Sequence, residues 1–171
     1  PDLFWRQQPG IQLTDQTEAE WARAFELYQG FSVDKGIEDL TSTIAVARAR
    51  STGKVGAVGY CLGGLLAYLC ATRTDADAAV GYYGVGIDGR LDEKERITRP
   101  LLLHIAVEDK FVDKAAQAAV HAGLDGQSGV SLFDYPGQDH AFSRLNGQHY
   151  DADAARLANG RTEGFFAAAL R

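Results

Sequence analysis

Seven residues constrain this chain more than any other stretch: Val58-Gly59-Tyr60-Cys61-Leu62-Gly63-Gly64. A cysteine flanked by glycines sits between an apolar run and a helical run. The pattern G-x-C-x-G predicts a tight strand-to-helix turn with the cysteine at its apex. Glycines are required there because a Cβ would clash with the neighbouring strand and helix. The following helix aims its free N–H groups and the positive end of its dipole at the sulfur. That field favours the thiolate, which is the nucleophilic form. The alternative is a glycine-rich turn in an ordinary βα unit, with Cys61 as a small buried hydrophobe.

An acid and a histidine follow, each just after an apolar run. The first run is Pro100-Leu101-Leu102-Leu103-His104-Ile105-Ala106-Val107, succeeded by Glu108-Asp109. The second is Val130-Ser131-Leu132-Phe133-Asp134-Tyr135, succeeded by Pro136-Gly137-Gln138-Asp139-His140. Continuous apolar runs of this length suit strands of a parallel sheet buried on both faces. The order nucleophile, acid, histidine is that of the α/β-hydrolases. In that chemistry Cys61 attacks a carbonyl, His140 shuttles the proton, and Asp109 fixes the imidazole tautomer and balances its charge. Each residue has a plainer alternative. Asp109 could cap the helix beginning near Asp113, Glu108 competes for the acid role, and His140 could be an ordinary loop histidine. His104 reads as a satisfied core residue inside a strand, while His121 falls in a helical stretch and His149 in a polar one.

The chain resembles the dienelactone hydrolases (carboxymethylenebutenolidases) over essentially its whole length. The resemblance rests on Pro1-Asp2-Leu3-Phe4-Trp5-Arg6-Gln7, on Lys54 to Gly56 with Gly59-Tyr60-Cys61-Leu62-Gly63-Gly64, and on Val80-Gly81-Tyr82-Tyr83-Gly84-Val85-Gly86. It continues in Gly137-Gln138-Asp139-His140-Ala141-Phe142 and Ala158-Asn159-Gly160-Arg161-Thr162. It implies an α/β-hydrolase fold, a Cys61-Asp109-His140 triad, and hydrolysis of the ester bond of dienelactone in the bacterial breakdown of chlorinated aromatics. It also implies Arg6 and Arg144 as ligands of the substrate carboxylate and Tyr82 beside the active site. A guanidinium suits that role through its two-pronged hydrogen bonding; the alternative for each is a solvated surface arginine.

The family domain is longer, and its first third precedes the Pro-Asp-Leu segment. That third carries early strands, a glutamate that deprotonates the cysteine, and one N–H of the oxyanion hole. By sequence only the Leu62 N–H remains to serve that hole. The expectation is therefore one α/β domain over residues 1–171, a parallel sheet flanked by helices that lacks the N-terminal strands. The nucleophile strand would then expose an unpaired apolar edge, which predicts a homodimer or a complementing N-terminal segment.

The remaining sequence reads as alternating helix and strand. Helices are expected at residues 14–28, capped by Thr17 or Thr14, at 34–49, and at about 62–72, 113–123 and 150–169. Strands are expected at about 54–59, 79–83, 101–107 and 130–135, and 86–99 reads as a charged connection without chemistry. Alternation of this kind means a parallel sheet with right-handed crossovers. Seventeen Lys and Arg against 23 Asp and Glu give a net charge of -6, which argues against nucleic-acid and membrane-surface partners. Cys61 and Cys70 would lie roughly 13 Å apart along one helix, too far for a disulfide. Two thiols fit a cytoplasmic protein. No cofactor or metal is expected, since Cys70 has no His or Cys at ligand spacing. Two readings result: a cysteine esterase or lactonase working through an acyl-thioester, or a catalytically impaired fragment that binds a carboxylate ligand or a complementing chain.

Overall fold

Successive residues of the two central strands point to opposite faces, and that alternation sorts the core into two layers. The computed structural model describes residues 1–51 and 53–171. Its sheet is built from β1 (Gly56–Tyr60), β2 (Ala78–Tyr82), β3 (Leu101–Ala106) and β4 (Val130–Tyr135) in that spatial order, all parallel. The helices are α1 (Glu18–Gln29), α2 (Val33–Arg50), α3 (Leu62–Arg73), α4 (Lys114–Leu124) and α5 (Ala152–Ala169). Ala79, Leu101 and Leu103 join Leu65, Leu66, Leu69, Val120 and Leu124 on the face covered by α3 and α4, and α2 packs outside α3. Val80, Tyr82 and Leu102 face the other way, against Ala158, Phe165 and Phe166 of α5. Successive strand residues point to opposite faces, so one sequence supplies both layers. Strands in simple sequential order, each reached by a right-handed crossover, place α3 and α4 on one face.

The expected elements form with small shifts. Thr17 caps α1, its hydroxyl oxygen accepting from the Glu20 N–H at 3.2 Å, while Thr14 bonds to the Glu20 carboxylate from outside the helix. Asp113 caps α4, so that helix starts one residue later than expected. β2 ends at Tyr82 rather than 83, because Tyr83 turns to φ +37° and leaves the strand. The charged connection is more ordered than expected. Residues 88–96 form a 3-10 helix whose buried Glu93 accepts from Arg73 Nε at 2.8 Å. Among the described residues no helix is long and apolar enough to cross a membrane.

Among the described strands β1 lies at one edge of the sheet, with Val58 and Tyr60 half exposed. The helix after it approaches with unusual closeness. A Cβ on Gly59 would lie 1.8 Å from the Gly63 carbonyl oxygen, and one on Gly64 would lie 2.6 Å from that of Tyr82. Gly63, by contrast, has nothing within 4 Å of where its Cβ would stand. The steric requirement expected for the flanking glycines therefore falls on Gly59 and Gly64. Gly59→Ala is expected to cost at least about 3 kcal/mol of stability, the upper range for overpacking. Gly63→Ala should stay within about 1 kcal/mol or stabilise, as Ala does in a helix. Urea denaturation of the two variants checks this; equal effects would refute it.

Candidate active site

The close approach of α3 forces the chain through a sharp corner at Cys61, which sits at φ 57° and ψ -117°. Few non-glycine residues adopt that region, and it persists only where surrounding bonds over-determine it. Here the Cys61 N–H donates to the Tyr82 carbonyl at 3.1 Å, and the Cys61 carbonyl accepts from the N–H groups of Gly64, Leu65 and Val85. Positive φ recurs at Tyr83 and at Ala141, the residue after His140. Among the described residues, three of the four such non-glycine residues thus lie at or beside the proposed triad.

Asp109 leaves the end of β3 and turns back on itself. Its Oδ1 accepts from the N–H groups of Phe111 at 2.8 Å and Val112 at 3.2 Å. That leaves Oδ2 to accept from His140 Nδ1 at 2.8 Å. Both residues are buried, at 6% and 5% exposed, so water does not compete for this bond. Glu108 is directed elsewhere: it meets the Lys114 ammonium at 3.5 Å on the surface. The geometry selects Asp109 over Glu108, and Asp113 rather than Asp109 takes the helix cap. Burial pulls the His140 pKa down. The Asp109 hydrogen bond and the adjacent Cys61 sulfur more than offset it, raising the value from 6.5 to about 9.

The imidazole is also fixed from both sides. Tyr83 packs edge-on at 5.0 Å between ring centroids and Phe111 at 4.8 Å. Asp139 joins the two loops, accepting from the His140 N–H at 2.7 Å and pairing with the Lys110 ammonium at 3.0 Å. The Glu108 N–H donates to the Gln138 carbonyl at 2.8 Å and adds a backbone tie. Sequence reasoning did not single out Tyr83, Phe111 or Asp139. The only signal for them is adjacency to motif residues, and their roles depend on which loops the sheet brings together.

The other expected residues are distributed unevenly. Leu62 opens α3, where the first N–H groups of a helix have no intrahelical acceptor, so its N–H is available beside the sulfur. Arg144 lies four residues beyond His140, exposed, with Nη2 donating to the Leu13 carbonyl at 2.9 Å. Arg6 is paired: Nε and Nη2 donate to the two oxygens of Asp39 at 2.9 and 2.8 Å, and Trp5 donates to the same carboxylate. Its polar contacts run to α2 and not toward His140. Tyr82 points beneath the sheet, its hydroxyl bonded to Asn159 and Thr162, so its ring is fully buried. The tyrosine in contact with His140 is Tyr83. Its φ of +37° breaks the strand alternation and swings its ring to the triad side. Cys70 is buried within α3, and burial pushes its thiol up to about 11.

The raised His140 pKa carries a sign. A group whose folded pKa exceeds its unfolded value contributes stability below the unfolded value and loses it as pH rises through the folded one. Denaturation free energy should therefore fall as pH rises from about 6.5 to about 9. Asp109→Asn should flatten that fall, measured by urea titration across the range. An unchanged slope in Asp109→Asn would mean that the pair does not govern it.

Comparison with known proteins gives the chain its family. The model of the dienelactone hydrolase family matches residues 1–170. A protein of Azospirillum brasilense assigned as a carboxymethylenebutenolidase is 46% identical over 97% of this chain and 72% of its own length. The carboxymethylenebutenolidase of Pseudomonas putida is 40% identical over 98% of this chain and 72% of its own. Among solved structures, one from Klebsiella pneumoniae assigned to the dienelactone hydrolases superposes with a TM-score of 0.80 at 21% identity. It covers 98% of this chain and 73% of its own, a likeness of fold. With that fold, that match and those relatives, the chain belongs to the dienelactone hydrolase family and is a hydrolase of the carboxylic ester class.

Proposed function

We propose that the protein hydrolyses a small anionic lactone or enol ester of the dienelactone kind by nucleophilic catalysis at Cys61. The observation that carries this reading is the buried Asp109–His140 bond beside a cysteine held at positive φ. His140 with a pKa near 9 is an imidazolium at neutral pH, and the reacting form in this reading is the Cys61 thiolate beside it. The thiolate attacks the lactone carbonyl, and the tetrahedral oxyanion forms against the Leu62 N–H. Its collapse breaks the ring C–O bond, and the imidazolium proton passes to the departing enolate oxygen. The product is an acyl-thioester with a neutral His140. Water then attacks the thioester carbonyl, giving its proton to His140. Collapse expels the Cys61 thiolate and restores the starting pair.

Leaving-group chemistry supports cysteine in this role. A thiolate departs readily from a tetrahedral intermediate, so productive ring opening needs a leaving group at least as good. An enolate meets that need better than a simple alkoxide. The reading gives the substrate carboxylate to Arg144, which shares a loop with His140 and has a guanidinium at the surface. Arg6 enters only if Asp39 yields it, since two of its nitrogens are bound there. Tyr83 and Phe111 complete the site by walling the imidazole.

Hydrolysis of a dienelactone, followed by absorbance, tests the reading. Cys61→Ala is expected to lower kcat on the order of 10³-fold or more, as loss of a catalytic nucleophile does. Iodoacetamide should modify Cys61 rapidly near pH 7 and leave Cys70 untouched until the chain unfolds. Undiminished hydrolysis in Cys61→Ala would sink the proposal. Arg144→Ala should raise KM for the anionic lactone by roughly tenfold or more, the worth of a charged hydrogen-bond pair, and leave a neutral aryl ester unaffected. Equal effects on both substrates would remove Arg144 from the site.

A further inference from the structure

The triad loops stand on a chain of hydrogen bonds, buried at Tyr82, His104, Tyr135 and Thr162, that the chemistry above does not use. Arg161 Nη1, on α5, donates to the Tyr135 hydroxyl at 3.0 Å. That hydroxyl lies 2.7 Å from His104 Nδ1, and His104 Nε2 lies 2.9 Å from the Thr162 hydroxyl. The Thr162 hydroxyl lies 2.6 Å from the Tyr82 hydroxyl, which lies 3.0 Å from Asn159 Oδ1. A guanidinium can only donate and an amide oxygen can only accept, so the two ends have opposite polarity. Burial holds the His104 pKa down at about 3, so its ring is neutral and carries one N–H. One arrangement gives every hydrogen an acceptor. Arg161 donates to Tyr135, Tyr135 to Nδ1, Nε2–H to Thr162, Thr162 to Tyr82, and Tyr82 to Asn159.

The same residues hold the loops of the triad through their backbones. The Tyr82 carbonyl accepts the Cys61 N–H at 3.1 Å. The Tyr135 carbonyl accepts the N–H of Val107, at the root of the Asp109 loop, and that of Gln138, at the root of the His140 loop, both at 3.2 Å. The His104 carbonyl accepts the Tyr83 N–H at 2.8 Å, and the Tyr83 ring packs on His140. Tyr82 and His104 are register partners on adjacent strands. The hydroxyl chain therefore ties together the ends of β2, β3 and β4; Asp109 follows β3, His140 follows β4, and Cys61, which follows β1, is held through the Tyr82 carbonyl.

We propose that this directed chain, centred on His104 and closed by Thr162 of α5, fixes the mutual spacing of Cys61, Asp109 and His140. His104 and Thr162 are then positioning residues. They touch no substrate and act through Tyr82 and Tyr135 from the face of the sheet opposite α3. The inference rests on the triad reading above and extends it to a helix that carries no group of the reaction. A satisfied chain of this kind has one low-energy geometry, because a shift in any inner member disturbs two bonds at once.

The test is the NMR titration of the His140 imidazole together with steady-state hydrolysis of the lactone. Thr162→Val removes the central hydroxyl and keeps side-chain volume, so it reports even if His104→Leu does not fold. In both variants the His140 midpoint should fall from near 9 by about one pH unit as its bond to Asp109 loosens. The kcat should drop about tenfold, equivalent to one broken alignment, with KM within about twofold. His104→Gln retains one acceptor and one donor and should recover most of kcat; recovery no better than in His104→Leu overturns the proposal. An unchanged His140 midpoint in folded Thr162→Val also overturns it. If the unsubstituted protein hydrolyses no lactone but the midpoint still moves, the proposed function fails and the positioning role stands.

Discussion

Helix α3 meets the sheet backbone to backbone. Helix α3 passes so near β1 and β2 that Gly59 and Gly64 have no room for a Cβ. The corner that carries Cys61 depends on that approach. The approach sets the unusual φ of that residue and starts α3 immediately after it. Side chains elsewhere could change in size and repack. Here the obstructing atoms are carbonyl oxygens and α-carbons, which cannot move without moving the sheet.

A second constraint is electrostatic. Asp109 and His140 are buried together, and burial alone would favour the neutral imidazole. The hydrogen bond from His140 Nδ1 to Asp109 Oδ2 reverses that preference because neither partner has water as an alternative. The Asp109 side chain can serve only because its other oxygen is already occupied by two backbone N–H groups of its own turn. His104 shows the contrary case. Its two nitrogens face hydroxyl groups and an arginine rather than a carboxylate, and it stays neutral at about 3. Two buried histidines, one on β3 and one in the loop after β4, thus have opposite ionisation, decided by what each ring nitrogen meets.

The order of elements, the parallel sheet and the cysteine corner were legible in the sequence, since each depends on local pattern: apolar runs, glycine spacing and a capping threonine. Cys61, Asp109 and His140 stood out as candidates by order and by position after strands, and the structure joins the last two by a hydrogen bond. Less was visible where partners come from distant loops. Tyr82 and Tyr83 look interchangeable in the run Gly81-Tyr82-Tyr83-Gly84, yet one anchors beneath the sheet and the other walls His140. A positive φ at Tyr83, held by its bond to the His104 carbonyl, makes the difference. Arg6 looked like a ligand for an anion, and the structure supplies it with one, Asp39 of α2. Asp139 carried no signal beyond its place next to His140, and its contact with Lys110 exists only because β3 and β4 are neighbours.

By itself the sequence determined the strand and helix pattern, the glycine corner and the candidates Cys61, Asp109 and His140. These are written in spacing and residue size, which act over a few neighbours. Only the tertiary structure decided which acid reaches the histidine, which tyrosine faces it, which arginine is already neutralised, and how His140 is charged. Those outcomes depend on distances between groups far apart in the chain and on the exclusion of water around them. Neither exists until the sheet has brought its loops to one end.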